Sequence, residues 1–192
     1  MLRFALTLSI LLAARLAAAQ ANVEIVAVHG SSKELAAKAQ LEGLLSTYDL
    51  SKWLYTRKIN IEAGVIPHSD PVLTLHTRHL DRDDLLLSTF VHEQTHWYVS
   101  AHAQRAAAVE ELRAMYPSIP VGYPQGSSDE AGNYDHLLVI YREYMADREL
   151  LGEAGAKTVM DFWAKDHYTW LYRKVLEDGP RIEAVMRKHK ML

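Results

Sequence analysis

The sequence predicts an α+β protein, with a small mixed sheet in its N-terminal part and a mainly helical C-terminal half. Three observations carry this. Strand-like alternation of apolar and polar residues is confined to the region between Lys58 and Leu75. From Asp84 onward the apolar spacing becomes that of helices, and no repeat, low-complexity stretch or linker interrupts a single domain over 22–192. With 49% apolar and 23% charged residues, the 192-residue chain has ordinary globular composition. A net charge of -3 and a pI near 6.4 give no broad basic surface, so neither nucleic acid nor an anionic membrane is expected as a partner.

The opening stretch, "MLRFALTLSILLAARLAAAQA", reads as a secretory signal peptide over 1–21. Arg3 supplies the positive start, Phe4 to Ala14 an apolar run too short to span a bilayer, and Ala19-Gln20-Ala21 a small-x-small cleavage site. The mature chain is therefore expected to be exported, periplasmic or secreted, with no stable membrane insertion. It contains no cysteine, so packing, helped by any bound metal, must replace disulfides, and thiolate ligation is excluded.

Ser32 caps a helix carrying Leu35, Ala36, Ala39, Leu41, Leu44 and Leu45, which ends near Thr47. Ile59 and Ile61 mark one strand; Gly64 and Pro67 break the chain; Val72, Leu73 and Leu75 mark the next. A long helix is expected from Asp84 through "SAHAQRAAAVEELRAMY" to a stop at Pro117. The Pro-, Gly- and Ser-rich loop "PSIPVGYPQGSSDEAG" follows, and then helical segments at about 132 to 151, 154 to 165, 167 to 177 and 180 to 190.

Within the long helix, "VHEQTHW" places His92 and His96 four residues apart, about 40° from each other around the axis. Two neutral imidazoles on one face can share a Zn2+ ion, and Glu93 beside them is placed to take a proton from water activated by the metal. The flanking Leu85, Leu86, Leu87, Phe90 and Val91 on one side, and Trp97, Tyr98 and Val99 on the other, predict a buried helix in which such imidazoles need partners.

A third ligand must come from elsewhere, and two candidates compete. In "HEQTHWYVSAH", His102 has the ligand spacing of the metzincins, HExxHxxGxxH, but Val99 stands where that family has the turn-forming glycine, and the alanines that follow favour a continuous helix. Downstream, "HLLVIYREYMADRELLGE" carries Glu143 and Asp147 one turn apart on one helix face. An ExxxD helix after an HExxH helix resembles the gluzincins, a zincin-like metallopeptidase group. That resemblance implies Glu143 as the third zinc ligand and Asp147 as the partner orienting a liganding histidine. His136 lies two turns before Glu143 on the same face and is expected to look toward the cleft, whereas Glu149 is rotated away. An exposed salt-bridge stripe with Arg142 and Arg148 is the other reading of this helix.

Beyond the two helices, "GVIPHSDPVLTLHTR" and "YTWLYRKVLEDG" resemble segments of a bacterial group of exported zincin-like proteins. The zincin resemblance also implies that Thr74 to Arg78 face an extended peptide substrate. It further implies that an oxyanion donor comes from "DHYTWLYRKV", where His167, Tyr168, Tyr172 and Arg173 are available and Tyr168 is favoured. The function expected is zinc-dependent peptide hydrolysis with Glu93 as general base. A non-catalytic zinc-binding or peptide-binding protein of the cell envelope is the alternative, compatible with ten histidines.

Overall fold

The structure, a computed structural model, describes residues 22–192. The expected signal peptide at 1–21 lies outside the described residues. The described chain forms two compact units, one up to Glu93 and one from Gln94, and the division falls inside a single helix.

The first unit is built on three strands, β1 (Glu24–Ala27), β2 (Lys58–Ile61) and β3 (Leu73–Leu75), in that spatial order. Their pairing is parallel throughout, with Ile25 opposite Ile59, and Ile59 and Ile61 opposite Leu73 and Leu75. The sequence predicted a mixed sheet. The antiparallel contact that forms is an isolated bridge between His68 and Thr74, outside the strand ladder. Parallel β1 and β2 need a crossover, and α1 (Ser32–Thr47) provides it, packing on both strands. Of the apolar residues expected to set its period, Leu41, Leu44 and Leu45 are buried, together with Ile59, Ile61, Leu73 and Leu75 of the strands, while Leu35, Ala36 and Ala39 are exposed and Ala37 takes the inward position.

The helix cap is Ser31, one residue before the expected Ser32. Its hydroxyl accepts the Glu34 N–H while the Glu34 carboxylate accepts the Ser31 N–H, a reciprocal capping box. Glu34 does more than close the helix. The same carboxylate accepts the backbone N–H groups of His29 and Ala63, each at 3.0 Å, so one side chain ties the exit of β1, the start of α1 and the residues after β2. Burial alone would raise its pKa, but the donors from Ala63, Ser31 and His29 together outweigh burial and hold the carboxyl at about 2.

The helix that both units share, α2 (Asp83–Ala101), is followed by α3 (Arg105–Met115), α4 (Glu130–Asp166) and α5 (Thr169–Lys188). In the second unit α4 and α5 pack on one another and α3 packs on both. The predicted continuous helix through His102 does not form. The chain leaves α2 after Ala101 and restarts at Arg105. The expected break near residue 152 is present: Gly152, at φ 73° and ψ 170°, interrupts α4 with a conformation that only glycine adopts cheaply. Among the described residues no helix is long and apolar enough to cross a membrane.

A group whose folded-state pKa is depressed stabilises the fold above its unfolded value and ceases to do so as pH falls through the folded one. Glu34→Gln should therefore lower the midpoint of thermal unfolding at neutral pH. The gap between variant and parent should close as pH is taken from about 4.5 toward about 2. Unfolding followed by circular dichroism across that pH range tests this, and an unchanging gap would contradict it.

Candidate metal centre

Residues 92 to 96 are one turn of α2 in which every side chain is buried or half-buried, His92 and Glu93 among the former. The leucines, Phe90 and Val91 that precede the motif are buried as well, which explains why polar side chains here are held in place. His92 and His96 are related by the helix itself. His136 joins them: among the described residues, His92, His96 and His136 each offer one ligand atom within 4.8 Å of the others. The rings of His96 and His136 meet edge to face with centroids 4.8 Å apart.

His136 comes from the first turns of α4, and its placement has identifiable causes. Asp129 caps the helix, its carboxylate accepting the Gly132 N–H at 2.8 Å. Arg105 at the start of α3 pairs with Asp135. The Gly132 carbonyl then accepts a hydrogen bond from His136 Nδ1 at 2.7 Å. A carbonyl can only accept, so Nδ1 carries the proton and the lone pair of the neutral ring is at Nε2. This is the arrangement found when a metal-binding imidazole is oriented through its other nitrogen.

The third converging side chain is thus His136, where the gluzincin resemblance pointed to Glu143. Glu143 lies two turns further along α4, fully buried and outside the convergent group. Its carboxylate accepts the Tyr172 O–H, at 3.0 Å to one oxygen and 3.3 Å to the other. Asp147, one turn on, is also fully buried. Burial first, and then the charge and hydrogen bond of Glu143 with the charge of Asp147, push the Tyr172 phenol well above its ordinary value. Tyr172 is therefore a donor at any physiological pH. The exposed-stripe reading of this helix does not hold. Arg142 is itself buried, donating to the Met191 carbonyl at 2.7 Å with its guanidinium 3.7 Å from the centre of the Tyr98 ring, and Arg148 pairs with Glu153.

His102 has a different task from the metzincin one. Its Nε2 donates to the Lys190 carbonyl at 3.0 Å, and its Nδ1 accepts the Gln104 N–H at 3.2 Å. Both ring nitrogens serve the turn between α2 and α3 and the chain beyond α5. Of the expected oxyanion donors after α4, Tyr168 lies against the cluster, its ring centroid 4.5 Å from that of His136. Its backbone is left-handed, φ 49° and ψ 36°, an uncommon conformation for a bulky residue. His167 bonds Asp166 through Nδ1 at 2.9 Å, and its ring contacts those of Trp163, Tyr168 and Tyr172.

The sequence places His136 toward the cleft, and the structure brings it into the histidine group. The signal for its orientation is chemical: a histidine one turn inside a capped helix can donate to the carbonyl four residues back and leave its other nitrogen turned outward. Comparisons with protein-family models, with curated proteins and with solved structures gave no match.

The group of three histidines can hold a metal ion. Its donors are all imidazole nitrogens, which suit zinc and the neighbouring first-row divalent metals better than magnesium or calcium. His136→Ala should weaken metal binding by more than the roughly 10- to 100-fold that loss of an outer partner costs, whereas Glu143→Gln should stay within that range. Competition against a chromogenic chelator measures both. The reverse order would return the third position to Glu143.

Proposed function

We propose that the protein is a zinc-dependent hydrolase acting on peptide bonds, with His92, His96 and His136 as metal ligands and Glu93 as general base. The observation that carries the reading is the placement of Glu93, a buried carboxylate next in sequence to one converging imidazole and in the same helical turn as another. The zincin-type HExxH motif supports it, although the third ligand proposed here departs from the gluzincin pattern. Export from the cytoplasm, read from residues 1–21, belongs to the same proposal.

Zn2+ bound by three neutral imidazoles keeps its full positive charge and supplies Lewis-acid chemistry, polarising a carbonyl and lowering the pKa of water. Glu93 then takes a proton from the water that adds to the scissile carbonyl, and delivers a proton to the departing amine as the C–N bond breaks. The Tyr168 phenol, whose ring lies against that of His136, is the hydroxyl donor we assign to the oxygen that becomes negative on addition. The buried Glu143 and Asp147 add negative charge to the helix that presents His136, which favours a cation over an anion in its vicinity.

Glu93→Gln preserves shape and removes the base. It should retain bound zinc and lose about 100- to 10,000-fold in turnover. Hydrolysis of fluorescein-labelled casein and of a quenched peptide library, with and without chelator, is the measurement. Equal rates for parent and variant, or rates indifferent to chelator, would remove the proposal.

A further inference from the structure

The loop between α3 and α4 is rich in glycine and proline, yet it is closely pinned. Asn133, fully buried in the first turn of α4, uses both ends of its amide: Oδ1 accepts the Ser127 N–H at 2.6 Å, and Nδ2 donates to the Pro120 carbonyl at 2.9 Å. Between these two anchors the chain closes on itself, Gly122 N–H to the Ser127 carbonyl at 2.7 Å and Gly126 N–H to the Gly122 carbonyl at 3.0 Å. Gly126 sits against the clamp so tightly that a Cβ there would come within 2.6 Å of both Asn133 Oδ1 and the Pro120 carbonyl oxygen.

What the pinned loop presents is a pair of carbonyls. The first N–H groups of a helix have no partner within it. In α5 those of Thr169 and Trp170 donate to the carbonyls of Pro124 and Gln125, at 2.8 and 3.2 Å. The residue that would ordinarily cap this helix with its side chain is Tyr168, and it makes no such bond. Its ring lies against His136 instead. The loop thus performs the capping, and the Tyr168 ring is left against His136.

We infer that Asn133 is a positioning residue for this site: by clamping the loop at 120–127 it fixes the first turn of α5, and so holds Tyr168 against His136. The inference depends on the proposed hydrolase only in treating that cluster as the place where Tyr168 acts. Nothing in it requires Asn133 to touch substrate or metal.

Two variants attack the clamp from opposite sides. Asn133→Ala removes both hydrogen bonds, and Gly126→Ala forces a methyl group into the space that the amide occupies. Asn133→Asp keeps the acceptor for the Ser127 N–H and loses the donor to Pro120. In metal-free protein, the ring-proton NMR shifts of His136 report the adjacent Tyr168 ring, and Tyr168→Leu supplies the reference for its absence. Asn133→Ala and Gly126→Ala should both move the His136 signals toward the Tyr168→Leu positions, and Asn133→Asp should move them less. Affinity for Zn2+ alone should stay close to that of the parent. On a quenched peptide that the parent cleaves, kcat should fall about 10- to 100-fold with KM little changed, as expected when a reacting group is misplaced by an ångström or so. Parent-like His136 signals in a folded Asn133→Ala or Gly126→Ala protein would overturn the inference. If Asn133→Ala does not fold, Gly126→Ala and Asn133→Asp decide it by the same signals. Shifted signals together with a parent inert toward every peptide would leave the positioning role standing and count against the hydrolase.

Discussion

A 2.7 Å hydrogen bond from His136 Nδ1 to the Gly132 carbonyl decides which side of the imidazole is left for anything else. An isolated histidine chooses between two tautomers and swings about two side-chain bonds. One whose proton is committed to a helix carbonyl has neither freedom. The α2 pair gains its own order from helix geometry, because residues four apart share a face regardless of what surrounds them. The three-histidine group is the meeting of these two backbone-imposed constraints, and the rest of the arrangement follows from the need to keep α4 in register. Asp129 at its cap and the Arg105–Asp135 pair act within its first two turns.

Further along α4 the same face turns acidic. Two fully buried carboxylates are costly unless donors and positive charge are at hand. Tyr172 supplies a donor to Glu143, and burial, with the carboxylates beside it, keeps that phenol protonated far beyond its usual range. Trp163, His167 and Tyr172 form a run of rings over this part of the unit. The consequence is a rigid aromatic and acidic backing to the helix that bears His136, in place of the mobile surface salt bridges that the alternation of Arg and acid in the sequence could equally have meant.

Much of this was legible in the sequence, and the parts that were not share a cause. The bounds of α1, the β2 and β3 segments and the interruption at Gly152 are local properties, set by spacing and by glycine, and they were legible to within a residue or two, whereas β1, a strand of four residues, was not. The helix end at Ala101 was not local. Alanine-rich sequence after His102 favours continuation, but His102 is bonded to Lys190, whose carbonyl lies far along the chain. The parallel sheet was missed for the same reason: alternation locates strands but carries no information about direction. At the candidate site, the HExxH spacing located the two α2 members of the histidine group, His92 and His96, with Glu93 buried beside them. The choice between His136 and Glu143 rested on which stretch of α4 crosses the motif helix: two nearly whole turns apart, they share a face and differ by roughly 10 Å along the axis, a displacement that the sequence leaves undetermined.

The left-handed backbone of Tyr168 carries a cost of its own. A side chain with a Cβ held in that region is disfavoured by about 1–2 kcal/mol, a penalty from which glycine is exempt. A selection for thermal endurance alone would therefore drift toward glycine at this position and, in gaining resilience, strip the ring from beside His136. The chain forgoes some durability at that residue in exchange for keeping a phenol where the imidazoles gather.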